Sequence, residues 1–294
     1  MKGLVLAGGL GTRLWPMTKT VSKQLLPVYN KPMIYYPIAT LMQAGINEIL
    51  IITAPNESQQ FLNLLGDGAT WGASFSYAIQ PKPEGIAQAL ILGERFLNQD
   101  CSALILGDNL FFGEVFSRQT QEFSEGCDGA TVFAHAVARP EAYGVIELDK
   151  LGSPIGIVEK PKSPKSHLAV TGLYFYDGSA SAMARNLKPS PRGELEITDL
   201  NNAYLKAGKL SVKILGRGTA WLDTGSPNDL MEASQFVKAI ETRQGQMVGC
   251  PEEIAYRNGW IDKNQLLRLA EKLLPTEYGK YLQRLSQEPE VGKG

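Results

Sequence analysis

A mixed, mostly parallel α/β sheet flanked by helices, with a small helical extension at its C-terminal end, is the fold class that this chain predicts. Two observations carry the prediction. Short apolar runs alternate with helix-spaced patterns through the first two-thirds of the 294 residues, the rhythm of β-α-β units. Beyond residue 215 strand patterns stop and only helical ones remain. The expected division is a body over residues 1–241 and an extension over residues 242–294.

Residues 4–7 form an apolar run ended by glycines, which predicts a first buried strand. Residues 32–44 predict a helix stopped by Gly45, with Pro37 as an irregularity. Residues 49–53 are rich in β-branched side chains and predict a buried strand; Phe75, Tyr77 and Ile79 alternate with small or polar residues and predict another. Residues 86–97 have helical spacing, and residues 103–106 are a further strand ended by Gly107-Asp108. This order implies parallel strands with helices on both faces. Residues 131–137, 144–148, 154–159 and 170–176 predict an elaboration of the same sheet with antiparallel strands. A helix over residues 198–207, capped by Thr198, precedes a strand over residues 210–215. Ser226-Pro227 opens a helix to Gln244, since a capping hydroxyl and a proline at the first helical position suit a helix start. Cys250-Pro251 starts a short helix ended by Asn258-Gly259, and Asp262 caps another carrying Leu266, Leu269 and Leu273. The polar tail from Gln287 is expected to fray.

Twenty-nine basic side chains stand against 30 acidic ones. That balance argues against a protein whose main task is neutralising a nucleic-acid backbone, but it permits a local basic pocket for a small anion. No apolar stretch is long enough for a membrane span, and the first residues do not resemble a secretory signal, so a cytoplasmic protein is expected. Cys101, Cys127 and Cys250 are too few and too widely spaced for a disulfide framework, and reduced thiols are expected. His135 and His167, with no nearby cysteine pair, make no zinc pattern.

The strongest chemical signal is Gly8-Gly9-Leu10-Gly11-Thr12-Arg13-Leu14, directly after the first strand. Glycines let the backbone approach a ligand closely, successive N–H groups can form an anion-binding concavity, and Arg13 adds a fork suited to phosphate oxygens. The third glycine of a dinucleotide fingerprint is missing, since Leu14 stands there, and no G-K-[ST] phosphate loop occurs. Taken alone, the loop reads equally well as a glycine-rich turn beside a surface arginine. In Ser22-Lys23-Gln24-Leu25-Leu26-Pro27, Lys23 could reach the distal phosphates of the same nucleotide, although a lone lysine is more often a surface charge. Asp108 closes a strand, and Asp223 is expected in a loop after Trp221-Leu222. Carboxylates at that rim of a doubly wound sheet suit a hard cation such as Mg²⁺; taken singly, one reads as a helix cap and the other as a turn residue. Gln80, at the end of a strand, can offer a donor and an acceptor to the edge of a base, or it can simply be an exposed strand end. Glu159 and Lys160 could hold sugar hydroxyls and a phosphate, or form a surface ion pair of little value.

The glycine loop followed by Ser22-Lys23-Gln24-Leu25-Leu26-Pro27 resembles the signature of the sugar-nucleotide pyrophosphorylases. The match narrows through Lys31-Pro32-Met33-Ile34-Tyr35-Tyr36-Pro37, Leu65-Gly66-Asp67-Gly68, Leu106-Gly107-Asp108-Asn109, Arg192-Gly193-Glu194-Leu195-Glu196-Ile197-Thr198-Asp199 and Ala220-Trp221-Leu222-Asp223-Thr224-Gly225. These resemble the members of the family that join a thymidylyl group to glucose 1-phosphate. The resemblance extends to Cys250-Pro251-Glu252-Glu253-Ile254-Ala255 and so spans nearly the whole chain.

The resemblance implies a Rossmann-like fold of the nucleotide-diphospho-sugar transferase type over residues 1–241. The reaction it implies takes dTTP and glucose 1-phosphate to dTDP-glucose and pyrophosphate, the first step toward dTDP-L-rhamnose. It implies Mg²⁺ on Asp108 and Asp223, with Arg13, Lys23 and Lys160 as cationic catalytic groups. The nucleotide would meet Gly8, Gly9, Gly11, Thr12, Arg13, Lys23, Gln24 and Asp108, with Gln80 and Gly85 reading thymine. The sugar pocket would be lined by Tyr143, Gly144, Glu159, Lys160 and Val170. It further implies a homotetramer built with help from the extension, and feedback inhibition by dTDP-rhamnose at a second site near Arg217, Glu253 and Arg257. Two alternatives stand beside this reading: a pyrophosphorylase for UTP, CTP or another sugar 1-phosphate, and a non-catalytic nucleotide-sugar sensor.

Overall fold

The computed structural model describes residues 1–113 and 128–288. In chain order the strands are β1 (Lys2–Ala7), β2 (Pro27–Val28), β3 (Lys31–Pro32), β4 (Glu48–Thr53), β5 (Ser74–Ile79), β6 (Ser102–Leu106), β7 (Asn109–Phe112), β8 (Ala130–Ala136), β9 (Gly144–Leu148), β10 (Pro154–Glu159), β11 (Leu168–Tyr176), β12 (Leu210–Ile214) and β13 (Ala220–Asp223). The helices are α1 (Tyr35–Gln43), α2 (Ser58–Leu65), α3 (Gln88–Leu92), α4 (Glu94–Leu97), α5 (Ala180–Arg185), α6 (Ile197–Lys206), α7 (Pro227–Gln244), α8 (Pro251–Arg257), α9 (Lys263–Leu273) and α10 (Glu277–Leu285).

Nine strands form one mixed sheet in the order β10-β9-β11-β6-β1-β4-β5, with β8 on β11 and β12 on β8. β6, β1, β4 and β5 run parallel; β11 runs antiparallel to β6, β8 and β9. This is the predicted architecture, and the antiparallel elaboration falls where the middle of the sequence places it. The parallel strands are in step. Leu6 pairs with Leu106, Ala7 with Thr53, and Thr53 with Ile79. Their carboxyl ends therefore reach one rim together, and Gly8, Gln80 and Gly107-Asp108 all leave the sheet there.

One apolar core joins β1, β4 and α1 to α8, α9 and α10, through Ile38, Leu41, Ile254, Leu266 and Leu282. The other face buries Leu4, Ile52 and Leu104 against Leu90, Ala184 and Leu200.

Several boundaries differ from expectation. α1 begins at Tyr35, because residues 31–32 pair as β3; Pro37 lies in the first turn, where its missing N–H costs nothing. The helix expected over residues 86–97 is two short ones broken at Gly93, where a Cβ would lie 2.9 Å from a Leu4 methyl. Thr198 is not a cap: it lies inside α6, and its hydroxyl is turned to Glu159. Strands continue past residue 215, since β13 pairs antiparallel with β7 as a separate two-stranded ribbon. Both strands are four residues long, too short to show a period. The α10 segment is helical, with Thr276 as its cap. Ser226 and Asp262 cap α7 and α9 as predicted.

The cysteine reading also needs correction. Cys250 is buried and free, but Cys101 is disulfide-bonded. Pairing depends on approach in space, which chain spacing does not report. Cys127 lies outside the described residues.

Lys31 and Glu241 form an almost fully buried ion pair at 2.8 Å, which ties the β2–β3 hairpin to the end of α7. Glu241 also accepts from Asn30 and from the Val248 N–H, where the extension begins. Burial, only partly offset by Glu241, holds the Lys31 ammonium below its usual range. Lys31→Ala should cost about 3–5 kcal/mol in urea unfolding, because it leaves a buried carboxylate without its counter-ion. A loss below about 1 kcal/mol would show that the pair is not a tie.

Candidate active site

The glycine loop turns where its glycines allow it. Gly11 takes a left-handed conformation (φ 59°), with its carbonyl accepting from the Thr18 hydroxyl at 2.7 Å. A side chain at Gly8 would place its Cβ 2.2 Å from the Gln80 Oε1, so the loop and the end of β5 pack against each other. Gly9 and Thr12 are exposed.

Gln80 is not an exposed strand end. It is buried, and its amide donates to Gln88 at 2.6 Å; Gln88 donates in turn to Glu84 at 2.8 Å. The chain of amides fixes the Gln80 carboxamide, with its acceptor beside Gly8. Gly85 (φ 106°) precedes α3 by three residues and lies against the Leu195 backbone. Leu195 donates to the Glu84 carbonyl at 2.7 Å and so ties this loop to the segment before α6.

Two carboxylates converge at the same rim. Asp108 follows β6, and Asp223 is the last residue of β13, opposite Asn109. The expected loop for Asp223 is thus a strand end, held by the ribbon. Lys23 is almost fully buried, and its ammonium donates to Asp108 Oδ2 at 2.5 Å, while Asn109 donates to Oδ1 at 2.9 Å. Burial, the largest influence, would raise the Asp108 carboxyl. The Lys23 charge and the hydrogen bonds from Lys23 and Asn109 outweigh it and keep the group ionised below the usual carboxylate range.

The Asp223 carboxyl is pushed up to about 6, first by burial and then by the charge of Asp108, with Lys23 and Arg13 opposing. Arg13 lies over Gly225, where a Cβ would meet its guanidinium at 2.9 Å and Asp223 Oδ1 at 3.1 Å. The ordering loop is short, since Thr224 donates to the Asp108 carbonyl through both N–H (3.1 Å) and hydroxyl (2.9 Å).

These two carboxylates fit a hard divalent ion. Each raises the electrostatic cost of ionising the other, which an added positive charge would relieve, and their oxygen donors are of the right kind. Among the described residues no group of three His, Cys, Asp or Glu side chains could hold a metal by itself, so oxygens from a ligand and water would have to complete the shell.

At the β10 end of the rim, Glu159 accepts from Thr198 at 2.7 Å, and its carboxylate lies against Gly144. Lys160 is half-exposed, 3.8 Å from Glu159, with φ of 42°. Tyr143 packs on Trp221 at 5.1 Å between ring centres, and Trp221 donates to Asn109 at 2.6 Å. Val170 is buried in the core and pairs with Ala134 of β8. Gln24 is buried too, and accepts from Ser22 at 2.9 Å.

The sequence assigns no site role to Asn109, Trp221 or Arg192 and reads Thr198 only as a helix cap, although all four stand in the quoted motifs. Asn109 accepts from Trp221 and from Gly172 while donating to Asp108. Arg192 binds Glu196 through two nitrogens and approaches Glu159 at 3.9 Å. For Asn109 the local signal is its place directly after Asp108.

A cavity of about 630 Å³ lies at the other end of the β7–β13 ribbon, lined by Tyr36, Phe111, Gly113, Gly218, Glu253 and Arg257. Arg257 donates to Glu253 at 2.8 Å, and Tyr281 donates to its second oxygen at 2.6 Å. Arg217 is exposed next to Gly218. Of the residues expected at a second site, Glu253 and Arg257 line this cavity, while Arg217 adjoins its Gly218 in the chain.

The nucleotidyl transferase family model matches residues 2–240. A glucose-1-phosphate thymidylyltransferase of Xanthomonas campestris pv. campestris is 57% identical over 286 residues, covering 97% of each chain. One from Neisseria meningitidis is 54% identical over 97% of this chain and 99% of its own. Among solved structures, a putative glucose-1-phosphate thymidylyltransferase from Bacillus anthracis in complex with sucrose superposes with a TM-score of 0.75 at 44% identity, over 80% of this chain and 94% of that one. A UDP-glucose pyrophosphorylase complexed with UDP-glucose gives 0.72 at 27% identity, over 81% and 98%. On this likeness the chain belongs to the nucleotidyl transferase family, among its glucose-1-phosphate thymidylyltransferases.

Proposed function

We propose that this chain transfers a thymidylyl group from dTTP to α-D-glucose 1-phosphate, giving dTDP-glucose and pyrophosphate. The observation that carries the reading is the meeting of Arg13, Lys23, Asp108 and Asp223 at one rim, directly beneath the glycine loop. A sugar-phosphate oxygen forms a new bond to the α-phosphorus as the bond to the bridging oxygen of pyrophosphate breaks. The nucleophile is already an anion, so the site needs alignment and charge neutralisation more than a general base. Magnesium on Asp108 and Asp223 would supply the divalent charge that offsets repulsion between two polyanions. The loop N–H groups and Arg13 take phosphate oxygens, and Lys23 keeps Asp108 ionised. Gln80 offers its fixed carboxamide, with the Gly85 main chain, to the thymine edge. Lys160 takes the sugar phosphate and Glu159 the sugar hydroxyls, between Tyr143, Gly144 and the Val170 main chain.

No covalent enzyme intermediate is expected. The free thiol of Cys250 is buried in the extension, and burial pushes it well above its ordinary range. Uracil differs from thymine by one methyl, which pockets discriminate weakly, so some use of UTP is expected. The extension over residues 242–294 serves subunit contacts in a homotetramer. The cavity at Glu253 and Arg257, with Arg217 at its edge, takes a nucleotide-sugar end product, dTDP-rhamnose, as feedback inhibitor. No described helix is long and apolar enough to cross a membrane, and a cytoplasmic location suits the substrates.

Pyrophosphate release across a panel of nucleoside triphosphates and sugar 1-phosphates tests the reading: dTTP with glucose 1-phosphate should lead. Tight nucleotide binding without turnover in Mg²⁺ would instead mark a sensor. Arg13→Ala and Asp223→Ala should each lower turnover by about two to four orders of magnitude, as for other preorganised electrostatic contacts; rates within tenfold of the parent would refute the assignment. Lys160→Ala should chiefly raise KM for glucose 1-phosphate.

Linkage gives a further check. A folded-state carboxyl near 6 binds protons more tightly than the unfolded chain, so ionising Asp223 removes stability as pH rises from about 4 to 6. A bound divalent ion favours the ionised form. Mg²⁺ should therefore raise Tm more at pH 7.5 than at pH 5, and Asp223→Asn should flatten the difference; an equal shift at both values would contradict the metal pair.

A further inference from the structure

We propose that Asn202 is a positioning residue for the sugar-phosphate end of the site: its carboxamide holds the outer edge of β10, so that Glu159 and Lys160 leave the strand at a fixed place. The inference rests on the reading above that those two residues take the sugar phosphate.

β10 is the outermost strand of the nine-stranded sheet, so one of its edges has no neighbouring strand. Backbone groups on such an edge are left to water or to stray pairing. Asn202, on α6, meets both groups of Ile157 there. Its side-chain oxygen accepts from the Ile157 N–H at 3.1 Å, and its amide donates to the Ile157 carbonyl at 2.8 Å. The carboxamide thus replaces the peptide group that a further strand would supply. One turn earlier on the same helix, Thr198 donates to Glu159 at 2.7 Å.

The opposite edge is held by β9. Glu159 pairs with Gly144, and the Lys160 N–H donates to the Tyr143 carbonyl at 3.0 Å, one residue beyond the strand. Lys160 has a left-handed φ of 42°, which a non-glycine residue keeps only where its surroundings over-determine it. The last residues of β10 are therefore clamped between a strand and a helix, and Asn202 supplies two of the helix's three bonds. A misplacement of about 1 Å at a substrate contact can cost a large factor in rate or affinity.

Steady-state kinetics on Asn202→Ala and Asn202→Gln, with Lys160→Ala as control, test the proposal. Asn202→Ala should raise KM for glucose 1-phosphate roughly five- to twentyfold and leave KM for dTTP within about twofold, an effect of the size that substrate misplacement gives. Asn202→Gln, which keeps both amide groups, should recover part of the loss. If Asn202→Ala is insoluble, Asn202→Ser is read in the same way. An unchanged KM for glucose 1-phosphate, or an equal rise for both substrates, overturns the proposal even where Lys160→Ala behaves as expected. An unchanged sugar-phosphate KM in Lys160→Ala overturns the site reading, and this inference with it.

Discussion

Two carboxylates share one part-buried rim, and the rest of the site is arranged around the cost of holding them there. Asp108 and Asp223 each make ionisation of the other harder, and water is too far excluded to screen them fully. Lys23 answers part of that cost from a buried position, and Arg13 approaches from the open side. The missing side chain of Gly225 gives Arg13 room, and that of Gly107 gives room to Gln24. The residual imbalance suits the divalent ion that the proposed reaction would bring in with its phosphates.

The sheet solves the placement problem before any loop is considered. In-step parallel strands deliver the glycine loop, Gln80 and Asp108 to one edge. The ribbon of β7 and β13 then returns Asp223 to Asp108 by backbone pairing. The same ribbon ends at the cavity of Glu253 and Arg257, so one short element borders both regions. Helices of the extension pack into the core shared with α1, and the buried Lys31–Glu241 pair closes the seam.

Hydrogen-bonded amides recur wherever the site must be specific. Gln80 is oriented by Gln88, Asp108 by Asn109, and the edge of β10 by Asn202. A carboxamide offers a donor and an acceptor without charge, so it can fix a neighbour without adding to the electrostatic load of a site already rich in ions.

Much of this was legible in the chain. Apolar runs mark most of the strands along the chain, the caps at Ser226 and Asp262 mark helix starts, and Gly8-Gly9-Leu10-Gly11 marks the turn after β1, because each signal is local. Four-residue strands such as β7 and β13 have no period to read, so Asp223 looked like a loop residue. Thr198 looked like a cap because a hydroxyl before a helix usually is one; only the arrival of Glu159 from a distant strand gives it another partner. The burial of Gln80, the disulfide at Cys101 and the clamp by Asn202 likewise arise from residues far apart in the chain. Local patterns determine what each segment can become. Which polar groups meet, and hence which charges are stabilised, is decided only when the sheet brings its edges together.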